Sequence, residues 1–115
     1  MESTAYIDPS LFFQCDLRVG TVIDAKPGEG LRKPALWLWI DFGSALGVRK
    51  SSAQLTALYT AEQLIGQQVV AVVNFSARQI GSFMSECLVL GAVKADGSVV
   101  LLRVDAEVEN GVRIA

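Results

Sequence analysis

A chain of 115 residues with a formal charge of −2 suits one domain and argues against gross electrostatic attraction to nucleic acid. Apolar residues make up 51% and charged residues 19%, which points either to a buried subunit interface or to a tightly packed barrel. Histidine is absent, which removes histidine metal sites, Ser–His and Cys–His dyads and the usual proton shuttle.

No apolar run approaches the length of a membrane span, so no membrane insertion is expected. Met1 to Ser10 lacks a basic stretch ahead of an apolar one, so no secretory leader is expected. Cys15 and Cys87 lie far apart and read as free thiols of a cytoplasmic protein. The charges are unevenly spread: both ends are acidic and the middle is slightly basic. A nucleic-acid site would therefore be a local patch.

In chain order, Asp8-Pro9 is a helix start, an acidic cap followed by a proline at the first helical position. A short helical turn to about Gln14 follows. From Leu17 the pattern has period two, with Leu17, Val19, Thr21, Ile23 and Ala25 on one face and Arg18, Gly20, Val22 and Asp24 on the other. Gly20 predicts a bend or bulge in this first strand. Pro27 to Pro34 is a loop with Arg32 and Lys33 at its tip. Ala35–Phe42 reads as a second strand, Leu36, Leu38, Ile40 and Phe42 facing in and Trp37, Trp39 and Asp41 facing out. Leu46–Lys50 reads as a third. Thr60 to Gln63 fits a capping box opening a helix of one to two turns that Gly66 stops. Gln68–Phe75, nearly continuous in Val and Ala, predicts a strand buried on both faces. A polar loop with Arg78 and Gly81 leads to a strand over Phe83–Val93. Asp96-Gly97 is a tight-turn signal before a last strand, Ser98–Val104. The tail from Glu107 keeps Val108, Val112 and Ile114, enough to dock on something.

Three strands, a short helix, then two or three strands is the order of an all-β, five-stranded Greek-key barrel of the oligonucleotide-binding (OB) type, with short terminal segments. An open α+β sheet is the rival.

Five stretches carry a resemblance: Asp16-Leu-Arg-Val-Gly20, Ile40-Asp-Phe-Gly43, Lys50-Ser-Ser-Ala-Gln54, Val70-Ala-Val-Val-Asn-Phe75, and Ser85-Glu86 leading to Leu88-Val-Leu-Gly91. In this order, over about residues 12–92, the chain resembles the tRNA-binding OB domain family. Within it the chain resembles the stand-alone, export-related chaperones of the CsaA type. The resemblance implies an OB barrel, a homodimer, no catalysis and no cofactor. It also implies binding of tRNA, of unfolded or exported polypeptide, or of both; the alternative is a structure-specific tRNA binder with no chaperone role. One departure is the pair Trp37 and Trp39, where the resemblance leads to smaller or charged residues.

The candidate binding residues come from segments beside an OB ligand face. Arg32, Lys33, Arg49, Lys50 and Arg78 are cations suited to phosphates, or else ordinary solvated charges; the resemblance favours binding for Arg49, Lys50 and Arg78. Convergence of these last three on one side is the central expectation. Ser51, Ser52, Gln54 and Asn74 supply neutral donors and acceptors, or else turn hydrogen bonds to their own backbone. Ser85-Glu86 matches a pair the family carries, with Glu86 as a base-edge acceptor or as a salt-bridge partner of Arg78. Phe75 and Phe83 stack a ligand or pack in the core. Trp37 and Trp39 are candidates for a dimer interface or for burial under a terminus, with a base-stacking platform as the other reading. No catalytic or metal set is visible: neither cysteine has a partner, and the carboxylates do not cluster.

Overall fold

The computed structural model describes residues 4–115; Met1, Glu2 and Ser3, where the expected leaderless segment begins, lie outside it. In chain order the elements are α1 (Ser10–Gln14), β1 (Leu17–Pro27), β2 (Leu36–Asp41), β3 (Val48–Ala53), α2 (Ala61–Leu64), β4 (Gln68–Val72), β5 (Arg78–Ile80), β6 (Phe83–Ser85), β7 (Leu88–Val89), β8 (Gly91–Val93) and β9 (Val99–Leu101). Five strands form one antiparallel sheet in the order β3-β2-β1-β4-β7, and β5-β6 and β8-β9 are separate hairpins. The sheet curls until β3 approaches β7, so the fold is the expected OB-like barrel.

Strand β1 serves two partners, β4 along Leu17 to Thr21 and β2 along Thr21 to Pro27, and it changes faces midway. Its register with β2 shifts between Val22 and Asp24, a β-bulge. Before the bulge, Val22 faces the main core while Leu17 and Val19 face outward; after it, Ala25 faces the core. Ile23 is left 50% exposed. The expected single face from Leu17 to Ala25 is therefore corrected: one extra residue reverses the parity of everything after it. Gly20 is not the bend itself. A Cβ there would stand 2.6 Å from Ile40 Cγ2 and 2.7 Å from Phe42 Cδ1, so the missing side chain makes room for the Phe42 ring.

Leu36, Leu38, Ile40 and Phe42 fill the main core, closed at one end by Leu55, Ala61 and Leu64. Helix α2 is held by the expected box: Gln63 N–H donates to Thr60 Oγ1 at 3.4 Å, and Thr60 N–H to Gln63 Oε1 at 2.8 Å. Strand β4 is buried on both faces as expected, with Val69 and Ala71 inward and Val70 and Val72 outward. It ends at Val72, short of the expected Phe75, which is 51% exposed. Strand β3 begins and ends later than expected, because Gly47 (φ +73°) still belongs to the turn and Ser51–Ala53 pair with Leu36–Leu38. The single strand expected over Phe83–Val93 is three short ones.

The tail docks on the outer side of β1 and β4. Val104, Val108 and Ile114 cover Leu17, Val19, Val70 and Val72. Ile114 N–H donates to Leu17 O (2.8 Å), Gly111 N–H to Val19 O (2.7 Å), and Val19 N–H to Val112 O (3.0 Å). Gln68 holds both backbone groups of Val108 with its amide, at 2.7 and 3.1 Å. At the other end, α1 has Pro9 as its N-cap and starts one residue later than expected; Asp8 accepts the Ser10 N–H at 2.9 Å, which lowers its pKa. None of the residues of α1 is buried.

Candidate nucleic-acid interface

Strand alternation decides where the cations on β3 go. Arg49, Ser51 and Ala53 pair with Ile40, Leu38 and Leu36 and share their inner face; Lys50 and Ser52 share the outer face with Trp39 and Trp37. Arg49 turns its guanidinium to the end of β4, where Nη1 donates to Val73 O at 2.6 Å. Lys50 Nζ stands 5.1 Å over the Phe83 ring. Arg49 and Lys50 diverge because adjacent strand residues point to opposite faces, and of the three cations Arg78 alone lines the cleft described below.

The sheet closes through side chains. The Lys50 N–H donates to Glu86 Oε1 (3.0 Å), and the Glu86 N–H returns to Lys50 O (2.7 Å). The Ser52 N–H donates to Ser85 Oγ (3.1 Å). Ser51, 1% exposed, donates its hydroxyl to Cys87 O at 2.9 Å. Edge N–H groups of β3 are thus satisfied by side-chain oxygens standing in for strand carbonyls. The expected Arg78–Glu86 salt bridge is not made; Glu86 spends its carboxylate on this seam. Asn74 is likewise structural: its amide accepts the Asp16 N–H at 2.9 Å and donates to Gln14 O at 2.8 Å, tying α1 to β4.

Beside the seam lies an open cleft of about 550 Å³. The β5-β6 hairpin, the β7-β8 segment and the chain leaving β3 form its walls. It gathers Ser52, Gln54, Phe75, Arg78 and Ser85 out of the predicted set, with Ser76 and a mainly apolar remainder that includes Leu55, Ile80, Leu88 and Val99. Phe75 is exposed and free to meet a ligand, whereas Phe83 is buried on the barrel's outer face. Arg32 and Lys33 are exposed on the loop after β1 and do not line the cleft; their neighbour Leu31 reaches the hairpin turn, 3.4 Å from where a Cβ on Gly81 would stand.

Trp37 is buried, as expected, but its cover comes from within the chain. Phe83 lies flat on it with centroids 4.6 Å apart, and Trp39 meets the same ring edge-on at 5.8 Å. Neither a terminus nor a partner is needed to explain the burial of Trp37. Cys87 lies in the cleft wall, and burial pushes its thiol up to about 11, so it stays protonated near neutral pH.

Residues 17–113 match the profile of the family described as "Putative tRNA binding domain". The chain belongs to this tRNA-binding domain family. The domain is similar to the chaperone CsaA of Bacillus anthracis, at 49% identity and TM-score 0.91, covering 96% of this chain and 100% of that one. It is similar to the CsaA chaperone of Picrophilus torridus at 43% identity and TM-score 0.89, again over 96% and 100%. It is also 39% identical over 79 residues to a methionine–tRNA ligase of Leptospira biflexa, which takes in 69% of this chain but only 11% of the ligase.

Two further residues, which the sequence reading does not single out, stand at the cleft or beside the Trp37 ring. Lys26, opposite Trp37 across the β1-β2 ladder, places Nζ 5.4 Å over its ring. Ile80 enters the cleft from the hairpin read as a polar loop. Its signal was present: Gly81-Ser82 between Ile80 and Phe83 is a two-residue turn with glycine at φ +62°.

Proposed function

We propose that this tRNA-binding domain is a non-catalytic module that holds tRNA at the cleft between the β5-β6 hairpin and β7-β8, and that it works as a homodimer in the cytoplasm. The observation that carries the reading is the composition of the cleft. One cation, Arg78, stands with an exposed aromatic ring, Phe75, and the neutral hydrogen-bonding groups of Gln54, Ser52 and Ser85. That set suits a phosphate beside an unstacked base, since a base stacks on an aromatic ring while its edge meets donors and acceptors. Arg32, Lys33 and Lys50 lie outside the cleft, where they suit flanking phosphates.

The test is retardation of tRNA by the wild type and by Arg78→Ala and Phe75→Ala, between 50 and 200 mM salt as a range set by about 10³–10⁵ losses for 6–10 phosphate contacts. Loss of binding in both variants is expected; full binding by both overturns the reading.

A second reading, retention of unfolded or exported polypeptide, draws on the largely apolar lining and on the similarity to proteins named chaperones. It predicts suppression of client aggregation with weak salt dependence, lost in Phe75→Ala. The homodimer is supported by the apolar side chains of Ile7, Leu11, Phe12 and Phe13, all exposed on the N-terminal arm. Light scattering that gives a monomer mass at micromolar concentration would refute it.

A further inference from the structure

The β5-β6 hairpin stands apart from the main sheet. Arg78 pairs with Ser85 and Ile80 with Phe83, so these four side chains share one face while Gln79 and Met84 share the other. The first face is turned to the barrel: Phe83 is buried and Met84 is exposed. Besides the edge-on contact of Trp39 with Phe83, two attachments hold it there. Ser85 Oγ accepts the Ser52 N–H, and Phe83 lies on Trp37 with the ring planes 9° from parallel. Lys26 and Lys50 stand over the two rings of the stack, 5.4 and 5.1 Å from the centroids. A two-stranded ribbon alone is marginal in water, so this stack supplies what the hairpin lacks.

The indole brings a penalty with it. Trp37 Nε1 is buried with no hydrogen-bond partner, crowded by Gly28, whose absent Cβ would stand 2.7 Å from it. An unpaired buried donor is destabilising. The position therefore keeps a large flat ring for its area against Phe83 and not for its polar atom.

We propose that Trp37 and Phe83 are positioning residues for the cleft: their stack fixes the hairpin, and through it the place of Arg78 and Ile80 at the ligand. The inference rests on the reading of the cleft as the tRNA site. Neither ring lines the cleft, so both act through the face that Phe83 shares with Arg78. A hairpin released from Trp37 leaves Arg78 on the protein but no longer aimed.

The experiment measures tRNA affinity against salt for the wild type, Trp37→Ala, Trp37→Phe, Arg78→Ala and the double variant Trp37→Ala/Arg78→Ala. Trp37→Ala is expected to weaken binding about tenfold and to lower the slope of log affinity against log salt by about one phosphate contact. Partial unfolding would lower the active fraction and leave that slope unchanged. Trp37→Phe, which keeps a ring and removes the orphan donor, is expected to bind like the wild type. Arg78→Ala is expected to cost far less in the Trp37→Ala background than alone. Should Trp37→Ala not fold, Phe83→Leu removes the stack from the hairpin side and carries the same expectations. Wild-type affinity and slope in the stack variants, with Arg78→Ala defective, overturn this inference and leave the tRNA site standing. Wild-type binding by Arg78→Ala itself removes the site beneath it.

Discussion

Replacing Glu86 with alanine removes one oxygen from the barrel seam, the Oε1 that accepts the Lys50 N–H at 3.0 Å. The return bond from Glu86 N–H to Lys50 O survives, because it belongs to the backbone. Hydrogen bonds to charged groups contribute about 1.5–3 kcal/mol, and the partial exposure of Lys50 places this one near the low end. A loss of about 1.5 kcal/mol lowers the melting temperature of a domain this size by roughly 6 °C. Glutamine keeps a carbonyl oxygen in the same place as a neutral acceptor about half as strong, so Glu86→Gln should lose under about 1 kcal/mol. Thermal melts followed by circular dichroism, at one protein concentration throughout, give both values. An alanine variant melting within a degree of the wild type, or a glutamine variant as damaged as the alanine one, refutes the role of Glu86 as a stand-in strand carbonyl.

Gly20→Ala drives a methyl group into Ile40 and Phe42, and should cost about 1–3 kcal/mol in urea unfolding, with an unchanged slope. The Arg18 guanidinium 2.6 Å from Asp16, helped by Arg113, holds the Asp16 carboxyl below the usual carboxylate range. A depressed carboxylate contributes stability at neutral pH that is lost as pH falls below the ordinary value of 3.8 and through the lowered one, so acid melts of Asp16→Asn should show a flatter limb there. Cys87, buried and raised to about 11, should react with a thiol reagent at pH 8 as a reference only as fast as the barrel opens, well after the less buried Cys15; equal rates would show that the cleft wall is open.

Much of the fold was legible because its causes are local. Period two marked the strands, Thr60 and Gln63 satisfied a helix start by themselves, and Asp96-Gly97 made its turn with Gly97 at φ +86°. The double burial of β4 and the docking of Val108 and Ile114 followed from apolar residues with nowhere else to go. Ser51, Ser85 and Glu86 read from the sequence either as ligand contacts or as structural hydrogen-bonding groups; in the fold their oxygens close the sheet, and Ser85 also lines the cleft. Separation of Arg49 from Lys50 was also within reach of the sequence, since neighbours on a strand face opposite ways.

What local pattern determined, then, was the set of elements and the faces they must bury. The bulge between Val22 and Asp24, the meeting of residues 50–52 with 85–87, and the seat of Phe83 on Trp37 were decided only when the sheet curled and distant edges met. Each is a contact between segments that carry no record of their distance from one another. An edge N–H takes whichever acceptor the closed barrel brings to it, and a ring takes whichever flat surface it is pressed against.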